Sequence, residues 1–231
     1  MPRVPMRFWS ATRWLITINV AIFVMDVMSF GRLTRWGGFS VDRAIYHVQL
    51  WRFLTFQFLH VDPWHVIFNM MVLYFYGPLL EPALGKKAFV IFYLLCGLAG
   101  AVLYLALWRM QFLHVAPVSK LLGASAGILG VMTAATTLAP HMEIRLIFPP
   151  ISVRLVTLLW FFLGIAFLTV WTAGPNAGGE AAHLGGAAAG FLLIKNVTWF
   201  KRVAGGKVSS RQRFWQPGDP QSSFFREEFR K

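Results

Sequence analysis

The sequence predicts an all-α membrane protein, a bundle of six transmembrane helices with a re-entrant or interfacial first loop. Three observations lead there. Hydrophobic residues make up 57% of the 231-residue chain and charged residues 13%, with a mean hydropathy of +0.57; soluble domains are closer to half and a quarter. Six apolar segments each approach the ~20 residues that cross a bilayer. Lys and Arg gather in the tails and in alternate loops, as the positive-inside rule requires.

The first span covers about 14–30. It has no small-residue cleavage motif and further spans follow it, so it reads as an anchor and not as a removed signal. Residues 31–64 are too long and apolar for an ordinary loop. Trp36, Phe39, Tyr46, Leu50, Trp51, Phe53, Leu54, Phe56, Phe58 and Leu59 spread among Arg and Gln, a composition suited to the membrane interface. The second span covers 65–80, closed by Pro82 and Gly85, and the third covers 88–108. The fourth covers 121–139 and ends at Pro140; the fifth and sixth cover 155–174 and 180–199. This divides the chain into a cytoplasmic N-tail (1–13), one helical domain (14–200) and a basic, flexible cytoplasmic C-tail (201–231).

The net charge of +13 is spent on topology, not on nucleic acid. Arg3, Arg7, Arg13, Lys86, Lys87, Arg145, Arg154 and the nine Lys and Arg from Lys195 onward fall on one side. Only Arg32, Arg35, Arg43, Arg52, Arg109 and Lys120 fall on the other, which places both termini in the cytoplasm. The single cysteine, Cys96, excludes an intramolecular disulfide, a redox pair and a Cys-rich zinc site; mid-span, it reads as packing.

Two spans carry candidate chemistry. The fourth opens on Gly123-Ala124-Ser125-Ala126-Gly127, and the sixth contains Ala182-His183-Leu184-Gly185-Gly186. Imidazole in hydrocarbon usually faces a water-filled cavity or a functional site, and a serine needs a base to become a nucleophile. Gly186 and Gly190 form a small-xxx-small ridge beside His183, so the fourth and sixth helices should pack closely and bring Ser125 near His183. Glu180 is the one acid at helical spacing from His183 and is placed at the membrane surface, so the sequence points to a dyad and not to a triad. His65 and Asn69 share a face of the second span, where a buried amide needs an acceptor that a developing oxyanion would supply. His60 and His65, five apart and without a carboxylate to complete a set, do not suit zinc. Asp26 snorkels to the interface, while His47, His114 and His141 sit solvated in loops. A transporter would show internal repeats, and none is found.

Taken together, these residues resemble the rhomboid family of intramembrane serine proteases. The match runs from Trp51-Arg52 through His60, His65, Asn69, Gly77 and Glu81 to Gly123-x-Ser125. It ends on Ala182-His183-x-x-Gly186-x-x-x-Gly190 and spans about 12–200. The resemblance implies hydrolysis of transmembrane segments in single-span or multi-span membrane proteins within the lipid bilayer, with no cofactor, metal or nucleic acid. It implies Ser125 as nucleophile and His183 as base, with Asn69, His65 and the Ser125 N–H around the oxyanion. Arg52 and Glu81 would tie the first loop and the second helix's end, and the location would be a bacterial plasma membrane. Two positions depart from the family pattern: Ala126 stands where a glycine is usual, and Leu129 where an aromatic often stacks on the histidine. His183 must therefore be oriented by leucine packing or by a neighbouring polar group.

Overall fold

Hydrocarbon offers no partner to backbone N–H and C=O groups, so apolar segments must satisfy them internally as helices. The computed structural model describes residues 10–145 and 151–205; the expected tails therefore lie mostly outside the described residues, Arg3, Arg7 and every cation from Lys207 onward included. Helix α1 (Ala11–Met28) begins earlier than the apolar run because the Ser10 hydroxyl accepts the Arg13 N–H at 3.2 Å, a favourable N-cap. Asp26 does not snorkel. Its buried carboxylate accepts the Thr34 N–H at 3.0 Å and the Thr34 hydroxyl, joining α1 to α2 (Arg32–Gly37).

The aromatic connection after α1 is folded. A π-helical turn (Asp42–Tyr46), α3 (Arg52–Thr55) and a 3-10 turn (Phe56–Phe58) follow α2. Its apolar residues run from buried to exposed, with Phe53 and Phe58 half-buried. Phe39, Phe56 and Leu59 are buried, while Trp36, Tyr46, Leu50, Trp51 and Leu54 are exposed. Arg52 holds the fold of this segment. Nearly fully buried, it donates to the Gly38 carbonyl at 2.6 Å, the Arg35 carbonyl at 3.0 Å and Gln49 Oε1 at 2.7 Å. Trp51 stacks on Trp36 and donates its indole N–H to the Trp36 carbonyl at 3.3 Å.

Helix α4 (Pro63–Leu84) starts on Asp62, whose carboxylate accepts the His65 N–H at 2.9 Å, with Pro63 at the first position. It runs through Pro78 and Pro82 and ends at the second of the two expected stops, where Gly85 adopts a φ of +82°. Interior prolines are tolerated in membrane helices, and Lys201 donates to the Ala83 carbonyl at 3.1 Å, one of the C-terminal carbonyls that a helix end leaves open. Glu81 accepts the Ala11 N–H (2.8 Å), the Thr12 N–H (3.0 Å) and the Thr12 hydroxyl (2.8 Å). Glu81 thus ties α4 to the start of α1, where the helix dipole favours an anion, and does not reach the first loop.

Helix α5 (Lys86–Arg109) follows at once. Helix α6 (Ser125–Leu138) starts four residues later than the hydropathy implies. Leu121 exchanges two backbone hydrogen bonds with Phe39, and the Gly123 N–H donates to the Phe56 carbonyl, so this stretch belongs to the first loop's edge. Gly123 then turns the chain with a φ of +125°. A short antiparallel ribbon, β1 (Glu143–Arg145) with β2 (Ser152–Arg154), departs from an all-helical fold. It leads to α7 (Leu155–Trp171), α8 (Ala177–Lys195) and the short α9 (Val197–Val203). By length and apolarity, α1, α4 and α5 are each sufficient to cross a membrane.

The bundle is centred on α8, which lies against both α6 and α5. A Cβ on Gly186 would overlap the Ala126 backbone, and one on Gly190 the Gly130 carbonyl. On the other side, a Cβ at Gly185 would stand 2.8 Å from the Ala99 carbonyl, and one at Gly100 would stand 2.6 Å from the Ala182 carbonyl. Helix α5 thus also meets α8 backbone to backbone, a few tenths of an ångström less closely than the foreseen α6 contact. Cys96 is buried against Gly130 as packing.

Candidate active site

Ser125 is the first residue of α6, and His183 lies two turns into α8. With the α6–α8 backbones touching, the side chains meet: His183 Nε2 is 2.6 Å from Ser125 Oγ. The histidine's other nitrogen, Nδ1, is 2.8 Å from Glu180 Oε2. The sequence reading set Glu180 aside as an acid at the membrane surface; in the fold its side chain is 19% exposed and meets the imidazole. The three-residue spacing carried the signal for this contact.

Both polar side chains face a cavity of about 380 Å³ between the first loop, α4, α6 and α8, lined among others by Phe56, His65, Lys120, Gly123, Asn176 and Gly179. Lys120 and Asn176 were not foreseen, since nothing in their local pattern distinguishes them from ordinary loop residues. Asp62 also lines it, and its Asp-Pro capping signal was legible. His65 stands across from the serine. A Cβ on Gly123 would come within 2.8 Å of the His65 ring, so a glycine here lets the imidazole close on the Ser125 turn. The Val61 N–H approaches His65 Nδ1 at 3.5 Å, which favours the tautomer carrying its proton on Nε2.

Asn69 lies one turn further along α4. Its amide nitrogen is buried and has no hydrogen-bond partner among the described residues. Asn69 does not line the cavity. His60 packs edge-on to His65, ring centroids 5.1 Å apart, and is buried. Burial pushes the His60 imidazole down to about 4, with the neighbouring His65 adding to the effect, so it backs His65 as a neutral ring. Trp51, Arg52 and Glu81 belong to the scaffold and lie outside the cavity lining. Leu129, where an aromatic was looked for, belongs to the main apolar core. His47, His114 and His141 are exposed.

A helical bundle with membrane-length helices, enclosing a hydrogen-bonded Ser–His pair in a cavity, defines the class. The chain belongs to the rhomboid family: the family model for the rhomboid domain matches residues 47–199. It is therefore an integral membrane protein. It is 31% identical over 140 residues to Rhomboid protein 1, mitochondrial, of Saccharomyces cerevisiae, covering 58% of this chain and 38% of that one. It is 30% identical over 143 residues to the putative rhomboid protease YdcA of Bacillus subtilis, covering 62% and 65%. To the rhomboid protease AarA of Providencia stuartii it is 26% identical over 200 residues, covering 80% and 71%. The chain thus spans well under half of the yeast protein and about two thirds of the two bacterial ones.

Proposed function

We propose that the chain is a serine endopeptidase that cuts transmembrane segments of single-span or multi-span membrane proteins inside the bilayer. The observation that carries this reading is the 2.6 Å contact between Ser125 Oγ and His183 Nε2 at a cavity in an apolar bundle. Ser125 Oγ attacks the scissile carbonyl carbon while its proton passes to His183 Nε2. The tetrahedral intermediate collapses to an acyl-enzyme, and the leaving amine takes the proton from Nε2. Water, activated by the same nitrogen, then hydrolyses the ester. The negative oxygen is met by the Ser125 N–H and by His65; Asn69, one turn further along α4 with its amide nitrogen unpartnered among the described residues, joins them when its amide turns toward the cavity, and each such donor typically lowers the barrier by about 3–4 kcal/mol.

In this reading α1, α4, α5, α6, α7 and α8 are six membrane spans, and both termini face the cytoplasm of a bacterial plasma membrane. Helix α6 is short because it starts at the nucleophile, part-way down the bilayer, and the space above it admits water. The test is cleavage of a single-span model substrate by purified protein in detergent. Ser125→Ala and His183→Ala should each abolish cleavage while insertion and melting temperature hold, and a fluorophosphonate should label Ser125. Near-normal turnover by Ser125→Ala would overturn the reading.

A further inference from the structure

We propose that Glu180 is a positioning residue for His183, so that the site works as a Ser–His–Glu relay of contacts and not as a two-residue dyad. The proposal rests on the protease reading above and adds a residue to it. Three observations carry it. Glu180 Oε2 lies 2.8 Å from His183 Nδ1 while Ser125 Oγ lies 2.6 Å from Nε2, so the imidazole is held at both ends. Both side chains are about four-fifths buried, at 22% exposure for His183 and 19% for Glu180, so the contact is not a solvated surface pair. The aromatic ring that could brace the imidazole from α6 is absent, because Leu129 occupies that position.

The chemistry follows from what each atom can donate. An ionised carboxylate only accepts hydrogen bonds, so Nδ1 must carry the imidazole proton. Nε2 then presents its lone pair to the Ser125 hydroxyl, as a general base requires. When Nε2 takes the serine proton, the resulting imidazolium has the Glu180 carboxyl group facing its Nδ1. The carboxylate is in the first turn of α8, where the helix dipole favours an anion. The i,i+3 spacing fixes ring and carboxylate on one helical face, so no second element need move to assemble the pair.

The experiment uses the full chain in detergent, with a single-span model substrate, and compares Glu180→Gln and Glu180→Ala. Glu180→Ala should lower kcat by up to about 10⁴-fold, the loss seen when a buried acid that fixes a catalytic tautomer is replaced, with KM within about twofold. Glu180→Gln keeps the side chain's volume but can donate an amide N–H to Nδ1 and hold the wrong tautomer, so it should lose up to about 10⁴-fold as well, without a change in melting temperature. The rate of Ser125 labelling by a fluorophosphonate should fall in step with kcat for both variants. The outcomes separate the two readings. If Ser125→Ala and His183→Ala are dead but Glu180→Ala keeps kcat within threefold, the positioning role is overturned and the dyad stands. A change in KM or melting temperature at constant kcat also overturns it, since Glu180 would then be structural. If Ser125→Ala remains active, the protease reading itself fails.

Discussion

Helix α8 meets its neighbours in two different ways. Against α5 and α6 the contact is backbone on backbone: Gly185, Gly186 and Gly190 leave no room for a Cβ. Against α7 the contact is looser. A cavity of about 580 Å³ opens among α6, α7 and α8, lined by Thr133, Thr136, Trp160, Leu163, Ala187 and Ala188 among others, and Trp160, Phe161, Phe167, Leu168 and Trp171 on α7 are exposed. The tight side carries Ser125 and His183. A 2.6 Å contact between residues 58 apart in sequence needs helices whose separation cannot drift, and lipid supplies no hydrophobic force to hold them. Small residues provide that rigidity; the α7 side, with no paired side chain of the site to hold, can remain open.

The largest expected effect comes from adding a three-carbon branched side chain to the tight side. Gly186→Val places a branched side chain on the Ala126 backbone. Overpacking costs about 1–3 kcal/mol, and a shift near 1 Å between reacting groups costs ~100-fold in rate. Cleavage should therefore fall by at least that much, with a lowered melting temperature. Ala188→Val, two residues on, points into the open cavity beside α7 and should change rate and melting temperature little. Equal tolerance at both sites would mean that the two faces do not differ.

A smaller loss separates groups that hold the geometry from groups that use it. Asn69 donates to nothing among the described residues, so Asn69→Ala removes no native contact of the amide nitrogen. The rate should drop by roughly 10–10³-fold, by analogy with other oxyanion donors, while melting temperature moves by only a few degrees. A large melting shift with activity per folded molecule intact would make Asn69 part of the scaffold.

Much of this division was legible before any coordinates. The fourth and sixth spans advertise themselves through Gly123, Gly127, Gly186 and Gly190, because close helix contact in lipid demands small residues, and those demands are written in composition. The Ser125–His183 pair followed from the same ridges. What sequence could not supply was burial. Whether Glu180 stands in the open or against the His183 ring depends on where α8 begins, and that is set by the turn at Asn176, whose φ is +62°. Leu121–Gly123 likewise reads as helix by hydropathy, yet its backbone hydrogen bonds go to Phe39 and Phe56, partners more than sixty residues away. Asp26 and Glu81 were visible as acids in apolar runs; their partners, Thr34 and the α1 N-terminus, were tertiary facts.

The segment leading into α4, beside the site, has a pH window. An unfolded imidazole takes up a proton near 6.5, whereas burial holds His60 neutral down to about 4. Between those values the unfolded chain binds more protons than the folded one, so stability falls as pH drops from 6.5 towards 4. The contribution is at most about 3 kcal/mol, present in full above 6.5. Melting temperature in detergent should decline across that window, and His60→Gln should flatten the decline. An unchanged slope in His60→Gln would place the proton uptake elsewhere.

The smallest effect belongs to α7. Phe167 is 56% exposed and stacks on Trp171 with ring centroids 6.1 Å apart. Truncating it exposes nothing to water if that face lies in lipid, because acyl chains are as apolar as the side chain removed. The loss is then limited to one aromatic pair, about 0.5–1.5 kcal/mol. Phe92, of the same chemistry but fully buried on α5 against Phe200, has protein on every side, and its truncation leaves a cavity costing about 3–5 kcal/mol. Phe167→Ala should therefore keep cleavage within threefold of the parent and shift the melting temperature only slightly, while Phe92→Ala lowers it by many degrees. A severe defect in Phe167→Ala would show that α7 is braced as firmly as α5, and the contrast between the two sides of α8 would have to be given up.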